Sequence, residues 1–305
     1  MKRAVVFAHY DKQNLIDDYV VYYLKALKEI ASEVIFVSCC NVENSEKLDG
    51  IASHIIAEPH NEYDFGSYKR GFLYLLPRLD EFDELIFAND SCFGPFRNLT
   101  PIFDEMDAKD CDFWGMTKNK FGINKHFRII EYTQPHVQSY FLVFKKNILM
   151  SQFFKDFISN IKHEEIKSDI INKYEIGLTE SLVKEGFSYK VYVNAFENVS
   201  NIAINKWRQI ILEHNMPLMK CSLPRLINKN STTVEGWQKI VKQVSDYPVE
   251  LMENNVKRIP YIRKGRHTSP IWLKRFLFDT LAPCPFIVRK ISSLIIAKCL
   301  PFLRD

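Results

Sequence analysis

The first forty residues contain a pattern that few folds accommodate: a short apolar run, an amphipathic stretch and a second apolar run. Residues 3–8 (RAVVFA) and 33–38 (EVIFVS) are rich in β-branched side chains, and residues 17–30 between them carry apolar side chains at helical spacing. A strand, a helix and a second strand in this order make a β-α-β unit with parallel strands. The chain therefore begins as an α/β protein.

Strand patterns of the same kind recur along the chain, and helical patterns separate several of them. The strand patterns cover residues 54–57, 84–88, 112–116, 140–144 and 189–193, and the helical patterns cover residues 68–76 and 148–162. This alternation predicts a mostly parallel sheet with helices on both faces. With 305 residues, of which 47% are hydrophobic, the chain is long enough to bury a large core around that sheet.

The C-terminal part of the chain has a different character. Strand signals fade after residue 200, a loop rich in Asn, Ser and Thr follows, and we interpret the remainder as a linker into an appendage. Residues 256–305 contain 11 Lys or Arg and 2 Asp or Glu, whereas residues 1–255 contain 30 and 35. The sequence predicts an acidic α/β domain at 1–255 and a basic helical tail at 256–305.

Within this tail, residues 271–305 alternate apolar clusters with basic side chains and are interrupted by prolines. No uninterrupted stretch approaches the roughly twenty apolar residues of a spanning helix. Two short helices fit better, and they either rest on an anionic membrane surface or pack as a hairpin on the body or a partner. An acidic body with a basic apolar tail is poorly suited to wrapping nucleic acid, so we expect no nucleic-acid partner.

The cysteines and the N-terminus both favour a cytoplasmic protein. The seven cysteines have neither the spacing of a zinc site nor that of a disulfide framework, and reduced thiols are the simplest interpretation. The apolar segment after Met1 is too short for a secretory signal. Together with the tail, these features predict a location in the cytoplasm at the inner face of the cell membrane.

The most informative strand end is the run LIFANDS, in which an apolar strand leads to Asn89, Asp90 and Ser91. Ligands of open α/β sheets bind beyond the carboxyl ends of the strands. Divalent ions such as Mg²⁺ or Mn²⁺ take oxygen ligands, commonly one or two carboxylates plus substrate phosphates. Asp90 is therefore a candidate for a metal or diphosphate site, although Asn-Asp-Ser is also ordinary turn chemistry.

A second candidate segment, YDFGSYKRG at residues 63–71, precedes a helical pattern. Gly66 and Ser67 in this segment are placed to open a helix whose free amides face an anion, and Asp64 is placed to hydrogen-bond a sugar hydroxyl. On local sequence alone, a helix N-cap is the more common role for Asp64 or Ser67. Lys69 adds a positive charge to this candidate donor-binding segment.

Two further segments carry candidates for the acceptor and for catalysis. His136, Gln138 and Ser139 enter an apolar strand and are candidate acceptor-binding residues, although a lone His before a strand is commonly structural. Glu175 opens a predicted helix, where a carboxylate is favourable for the helix dipole without any catalytic role. It becomes functional only if it points into the same cleft as Asp90.

The order and spacing of five motifs resemble the rhamnan synthesis F family of glycosyltransferases. The motifs are VVFAHYD, YDFGSYKRG, FANDSCFGP, DFWGMT and HVQSYFLVF, followed by PLMK at 217–220 and YPVEL at 247–251, so the resemblance covers about residues 3 to 260. It implies a GT-A-like α/β sheet with helices on both faces. The implied chemistry is transfer of a sugar, often rhamnose, to a growing cell-surface polysaccharide.

Carried to this chain, the resemblance implies that His9 and Asp11 border the nucleotide pocket and that Asp64 holds the donor. It implies further that residues 89–91 replace the DxD motif of related enzymes and that Glu175 is the general base of an inverting transfer. The motif offers one Asp where two are usual. Lys220 and Arg225 are placed to neutralise the donor diphosphate, partly or wholly in place of a divalent cation.

These features give one main hypothesis and two rivals. The main hypothesis is a glycosyltransferase that uses a nucleotide-sugar donor and a glycan or lipid-linked acceptor. One rival is a catalytically silent subunit that binds a nucleotide sugar or glycan within an assembly complex, which the thin supply of carboxylates favours. The other is a different nucleotide-dependent enzyme, but the sequence has no Walker loop and no GxGxxG.

Overall fold

A computed structural model of the chain describes residues 1–124, 129–197, 199–225 and 234–259. Its centre is a seven-stranded sheet with the strand order β10-β6-β9-β4-β1-β2-β3. Only β9 runs antiparallel to its neighbours β4 and β6, and the other pairs in this sheet are parallel. The strands are Arg3–His9 (β1), Glu33–Ser38 (β2), His54–Ala57 (β3), Glu84–Asn89 (β4), Cys92–Phe93 (β5), Phe113–Gly115 (β6), Lys118–Asn124 (β7), Ile129–Val137 (β8), Phe141–Lys145 (β9), Tyr189–Val191 (β10) and Met219–Lys220 (β11).

Helices of very different length connect and cover these strands. They are Asp18–Ile30 (α1), Tyr63–Leu75 (α2), Thr100–Asp107 (α3), Lys146–Met150 (α4), Gln152–Ser159 (α5), Lys167–Ile170 (α6), Gly177–Lys184 (α7), Ile202–Asn205 (α8), Trp207–Glu213 (α9), Ser222–Arg225 (α10), Trp237–Val244 (α11) and Val249–Arg258 (α12). Short 3-10 helices span Ser45–Leu48 and Leu76–Glu81, and a wider π-type segment, Ile171–Ile176, joins α6 to α7.

The sheet separates two hydrophobic cores, as the predicted architecture requires. Val5 and Phe7 of β1 pack with α1 and α3 on one face, whereas Ala4 and Val6 pack with α2 and α5 on the other. This division follows from the period of two along a strand, which sends alternate side chains to opposite faces. The prediction of a mostly parallel sheet with helices on both faces is confirmed.

Helix α2 lies unusually close to the sheet. A Cβ atom added to Gly71 would stand 2.3 Å from Val6 Cγ1, so only glycine allows this approach. α2 begins at Tyr63, more than one turn before the predicted start at residue 68. This earlier start places Asp64 in the first helical turn, beside the carboxyl end of β4.

The described part of the chain after residue 200, where strand signals fade, packs against the α/β body. Trp207 and Ile210 of α9, Trp237 of α11 and Met252 of α12 are buried in the same core as α1 and β1. Their helices are short and therefore show too few periods for sequence patterning to detect. The predicted boundary between residues 255 and 256 falls inside α12, and most of the predicted tail, 260–305, lies outside the described residues.

Two small sheets complete the fold and were absent from the sequence prediction. β7 and β8 form an antiparallel pair, and β5 pairs with β11 in antiparallel register, with Lys220 opposite Cys92. The second pair is only two residues long on each side. It nevertheless brings Lys220 to the carboxyl end of β4, although 129 residues separate Lys220 from Ser91.

Candidate functional site

A cavity of about 720 Å³ opens at the carboxyl ends of the parallel strands β1, β2 and β4. This is where ligands bind in open α/β sheets, and the volume is within the range of small-molecule sites. Its walls come from the loop after β1 and the start of α1, from the start of α2, from the end of β4, and from the segment before α6. The lining residues lie within 9–20, 60–64, 90–91 and 163–167, joined by Cys39, Arg225 and Ile259.

A chain of hydrogen bonds links the predicted donor residues at the end of β4. Asn89 Nδ2 donates to Asp64 Oδ2 at 3.0 Å, and Asn89 Oδ1 accepts from Ser91 Oγ at 2.5 Å. Lys220 Nζ donates to Ser91 Oγ at 3.1 Å and stands 3.9 Å from the Tyr140 ring centroid. The pairing of β5 with β11 therefore brings the predicted Lys220 next to Ser91, although 129 residues separate them along the chain.

Asp90 is the carboxylate most strongly affected by its surroundings. Its Oδ2 accepts from Tyr10 N at 2.9 Å, and its backbone oxygen accepts from Tyr19 OH at 2.8 Å. Burial, assisted by the negative charge of Asp64, raises the pKa of Asp90 to about 8. The carboxyl group of Asp90 is therefore largely protonated at pH 7 and is able to donate a hydrogen bond.

Asp64 and Glu175 lie close enough to each other for their charges to interact. Burial raises the pKa of Asp64; the positive charge of Lys220 opposes this rise, and the negative charge of Glu175 adds to it. Glu175 Oε1 accepts from Ser139 N at 3.0 Å, which fixes one carboxylate oxygen. Glu175 lies inside the π-type segment rather than at the start of a helix, and such segments are frequent at functional sites.

The other end of the cavity is formed by the end of β1 and the loop that follows. His9 Nδ1 lies 2.9 Å from Ser38 Oγ, and burial lowers the pKa of His9 to about 4, so the ring is neutral at pH 7. Asp11 Oδ1 accepts from the amides of Gln13 at 2.8 Å and Leu15 at 3.3 Å. Asp11 thus shapes the loop that borders the predicted nucleotide end.

Arg258, at the end of α12, fixes this loop from the far end of the chain. Its Nη2 donates to Asp11 Oδ2 at 2.5 Å and to Asp17 Oδ2 at 2.6 Å, and its Nη1 donates to Asp11 Oδ1 at 3.0 Å and to Gln13 Oε1 at 2.8 Å. Burial alone would raise the pKa of Asp11, but the hydrogen bonds from Arg258 and the loop amides lower it. With Nε bonded to Asp17 Oδ1 at 3.1 Å, the guanidinium has no donor left for a ligand.

Arg225 differs from Arg258 because part of its guanidinium stays available. Nε and Nη2 donate to Asn255 Oδ1 at 3.1 and 2.7 Å. Within the described part of the chain, Nη1 makes no hydrogen bond, and Arg225 lines the cavity. The positive charge of Arg225 opposes the rise in the pKa of Asp90, which places the two side chains in one electrostatic environment.

The candidate metal site depends on Asp90. Among the described residues, no group of three or more His, Cys, Asp or Glu side chains is arranged to hold a metal ion. A magnesium ion bound mainly by diphosphate needs only one or two carboxylates. Asp90 meets that requirement only when ionised, with Asp64 in the same wall, and a Mg²⁺ or Mn²⁺ ion bound there would take oxygen ligands from Asp90 and the diphosphate and supply Lewis-acid stabilisation of the leaving group.

Two predicted donor-binding residues do not line the cavity among the described residues. Ser67 is buried within α2, where its Oγ lies 3.1 Å from His60 Nε2, and it does not open the helix. Lys69 Nζ donates to Ile161 O at 2.8 Å, which joins α2 to the segment after α5. Neither residue is among the described residues that line this cavity.

The predicted acceptor residues lie behind the cavity wall rather than on it. His136 and Gln138 are buried, at 2% and 6% exposure. Thr117 Oγ1 donates to Gln138 Oε1 at 2.8 Å, and Ser139 donates its amide hydrogen to Glu175. None of the three is among the described lining residues, so their role in acceptor binding stays a prediction.

Arg258, Asp17 and Asn255 carry no signal in the sequence, although together they fix the loop after β1 that lines one part of the cavity. No local motif marks them, since Asp11 and Arg258 are 247 residues apart in sequence. The sequence offers only basic residues in the last turn of α12, and basic residues are common at the C-terminal ends of helices in any protein. No described helix is long and apolar enough to cross a membrane, and the predicted membrane segment 271–305 lies outside the described residues.

The sheet and its cavity define an α/β protein with a candidate ligand site at the carboxyl ends of its parallel strands. A sequence model of the family described as rhamnan synthesis protein F matches residues 34–285. The chain belongs to this family, as its motifs predict.

The individual relatives match only part of the chain, and the solved structures have low sequence identity to it. An uncharacterized protein of Sinorhizobium fredii, y4gN, is 30% identical over 138 residues, which are 44% of this chain and 33% of that protein, so the match spans about a third of the relative. A CMP:2-keto-3-deoxy-manno-octonic acid synthetase complexed with CTP has a TM-score of 0.39 at 12% identity, covering 63% of this chain and 89% of its own. A glycosyltransferase involved in glycosylation of the major capsid of PBCV-1 has a TM-score of 0.38 at 8% identity, covering 80% of this chain and 98% of its own. These TM-scores are too low to assign a function.

Proposed function

We propose that this chain is a glycosyltransferase that moves a sugar from a nucleotide-sugar donor to a growing cell-surface polysaccharide or lipid-linked glycan. Membership of the rhamnan synthesis protein F family supports a transferase that acts in polysaccharide synthesis. The observation that carries the proposal is the meeting of Ser91, Asp90, Lys220 and Arg225 at one strand end. Two cations and hydroxyl and carboxyl groups at this position suit a diphosphate.

The donor lies along the cavity with its diphosphate at the end of β4. Lys220 and Arg225 neutralise phosphate oxygens, and this charge stabilisation grows as the nucleoside diphosphate leaves. The nucleoside lies toward His9 and the loop shaped by Asp11, in a GT-A-like arrangement. Because Arg258 is saturated by Asp11, Asp17 and Gln13, it positions this loop and does not contact phosphate.

Asp90 contacts the diphosphate in its protonated form. A neutral carboxyl group avoids repulsion with phosphate oxygens and donates a hydrogen bond to one of them, and its raised pKa supports this state. Lys220 and Arg225 supply the positive charge that a divalent cation supplies elsewhere. The alternative is a cation bound by ionised Asp90, and the two arrangements differ in their response to Asp90→Asn.

Glu175 is the proposed general base. Its Oε1 is fixed by the amide of Ser139, and although Glu175 is not among the described lining residues, its charge acts on Asp64, which lines the cavity. In the reaction the acceptor oxygen bonds to the anomeric carbon while the bond from that carbon to the phosphate oxygen breaks. The electron pair leaves with the nucleoside diphosphate, and the acceptor proton passes to Glu175. Attack opposite the leaving group inverts the anomeric configuration.

A silent binding subunit is the second candidate. It is favoured by the buried, protonated state of Asp90, which leaves few ionised carboxylates for catalysis at the strand ends. Such a subunit would bind a nucleotide sugar or glycan within an assembly complex without transferring the sugar. Both candidates can bind a nucleotide sugar, but only the enzyme transfers the sugar to an acceptor.

Release of nucleoside diphosphate separates the two candidates. The protein is incubated with a panel of nucleotide sugars and membrane extract as acceptor source, and the wild type is compared with Glu175→Gln. We expect release by the wild type and a loss of at least about 100-fold in the variant, the scale of general-base catalysis. Binding of nucleotide without release by the wild type supports the silent subunit and contradicts the enzyme.

A location at the inner face of the cell membrane completes the proposal. It is supported by the excess of basic residues in 256–305 and by the apolar clusters of 271–305. Holding the enzyme at a membrane surface raises the local concentration of lipid-linked glycan ends.

A further inference from the structure

One wall of the cavity is built from two segments, residues 60–64 and 163–167. Asn61 and His163 join them, since Asn61 O and His163 Nδ1 are 2.9 Å apart. None of the motifs in the sequence marks the second segment, and the proposed donor site does not use either segment beyond Asp64. Asp64 belongs to the first segment, and the negative charge of Glu175 acts on Asp64.

Tyr63 is the most prominent side chain of this wall. It is 44% exposed, lines the cavity and has a φ of +53°, a left-handed conformation that is rare for a bulky residue. Its ring is not packed in either core; Lys167 Nζ lies 5.9 Å from the ring centroid. A large aromatic ring that stays at the rim of a cavity is available to a ligand.

A carboxylate in the same wall is also available. Glu164 is engaged by Lys173 Nζ at 2.6 Å and by the Tyr174 hydroxyl at 3.2 Å. Glu165, its neighbour, is exposed and has no hydrogen bond or ion pair with any described residue. Glu165 therefore offers two acceptor oxygens at the cavity rim.

An exposed aromatic ring and a carboxylate together match the surface of a neutral sugar. A pyranose has a face of C–H groups that packs on an aromatic ring and hydroxyl groups that donate to carboxylate oxygens. A second diphosphate fits this wall less well, because Glu165 would repel it and offsets the charge of Lys167, whereas Lys220 and Arg225 both lie at the end of β4. The chemistry of this wall thus differs from that of the donor site.

We propose that residues 60–64 and 163–167 form the acceptor subsite, in which Tyr63 packs against the ring of the terminal neutral sugar of the glycan and Glu165 accepts hydrogen bonds from its hydroxyls. This inference rests on the proposed transferase function and names a site for its second substrate. It gives the acceptor a different wall from the buried residues His136 and Gln138.

The test measures saccharide and nucleotide binding separately on the full chain. The probes are a short rhamnose oligosaccharide, followed by NMR saturation transfer and titration, and a panel of nucleoside diphosphates, followed by calorimetry. We expect Tyr63→Ala to weaken saccharide binding by at least about tenfold, while Tyr63→Phe retains it and Glu165→Gln weakens it. Nucleoside diphosphate affinity stays within about twofold in all three variants.

Tyr74→Ala is the matched control, because Tyr74 lies on the same helix, is 40% exposed and is not among the described cavity residues. It should leave saccharide binding unchanged. Unchanged saccharide binding by a folded Tyr63→Ala variant overturns the subsite, as does a wild type that binds nucleoside diphosphate but no rhamnose oligosaccharide. Failure of the wild type to bind any nucleoside diphosphate instead contradicts the proposed function itself, so the two failures are distinguishable.

Discussion

At the scale of single residues, Asp90 shows how one position at a strand end acquires a special protonation state. The sequence places it after a buried strand, and the fold surrounds it with Tyr10, Tyr19 and Asp64. Burial and a neighbouring carboxylate both disfavour its charged form. Its role therefore depends on chemistry that the letters NDS do not reveal.

Two substitutions of Asp90 distinguish a proton donor from a metal ligand. Because the Asn amide also donates a hydrogen bond, we expect Asp90→Asn to keep at least a tenth of the transfer rate and Asp90→Leu to lose about 100-fold. Nucleoside diphosphate release is measured for both variants, with and without EDTA. Loss of activity in Asp90→Asn together with inhibition by EDTA would instead indicate a cation bound by ionised Asp90.

The raised pKa of Asp90 also predicts a pH dependence of stability. A carboxyl group whose folded pKa is about 8, above its unfolded value of 3.8, stabilises the folded state fully below pH 3.8, and this contribution is lost as the pH rises through 8. Asp90→Asn removes the cost of ionisation. We expect the difference in free energy of unfolding between Asp90→Asn and the wild type to be small at pH 4, to grow by roughly 1.4 kcal/mol per pH unit up to about pH 8, and to reach several kcal/mol at pH 9. Urea unfolding at pH 4 and pH 9 measures this; an equal difference at both would contradict the shift.

Lys220 and Arg225 should affect diphosphate binding and not nucleoside binding. We expect Lys220→Met and Arg225→Met each to weaken nucleoside diphosphate affinity by about tenfold or more and to leave the nucleoside alone unchanged. Lys69→Met is the matched control, since Lys69 Nζ donates to Ile161 O and Lys69 is not among the described residues that line the cavity. Calorimetric titration of each variant with nucleoside and with nucleoside diphosphate provides the comparison. An equal loss of affinity for both ligands would refute a contact with the diphosphate.

At the scale of elements, local patterns were sufficient where an element is long or strongly alternating. The predicted strand at 54–57 is β3 itself, and the predicted helix at 17–30 is α1 with one residue removed. The predicted helix at 148–162 is instead two helices, α4 and α5, because the chain is extended at Ser151. Short elements such as β11 exist only through their tertiary partners, so no local pattern could predict them.

Helix α12 should stabilise the loop after β1 through Arg258. Removing the guanidinium leaves Asp11, which is 4% exposed, without its main partner. We expect Arg258→Gln to lower the free energy of unfolding by about 2 kcal/mol at pH 7. Since the pKa of Asp11 is lowered in the fold, this contribution is present above its unfolded pKa and is lost as the pH falls through the folded pKa.

The neighbouring Lys257 supplies the control for this prediction. It is exposed and has no ion pair with any described residue, so Lys257→Gln should change the free energy of unfolding by less than about 0.5 kcal/mol. Denaturant unfolding of both variants at pH 7 and pH 3 measures the difference. A similar loss in both variants would show that the charge of α12 matters generally and that the Arg258 contact does not.

At the scale of the whole molecule, the site is assembled from residues that are far apart in sequence. Asp64, Asp90 and Lys220 were predictable because each stands in a motif, and the sheet brings them to one strand end. The roles of Ser67 and Lys69 were not predictable, since the direction of a side chain depends on where α2 begins. Arg258 has no motif at all, and only the packing of α12 against α1 reveals it.

The charge asymmetry of the whole chain leads to a prediction about membranes. Each Lys or Arg near an anionic bilayer contributes about 1 kcal/mol of attraction. We therefore expect the triple variant Arg289→Ser, Lys290→Ser, Lys298→Ser to bind vesicles that contain phosphatidylglycerol about 100-fold more weakly than the wild type.

A matched variant distinguishes vesicle binding through the basic tail from binding through the total positive charge of the chain. Lys25, Lys184 and Lys239 are exposed on the body, and their replacement by Ser removes the same net charge. Vesicle sedimentation at about 0.1 M salt, where attraction reaches only about 10 Å, should leave this body variant bound like the wild type. Equal weakening of both variants would mean that total charge drives the association. No binding by the wild type would favour a tail that packs on the body or on a protein partner, because apolar clusters that do not enter a bilayer must be buried elsewhere.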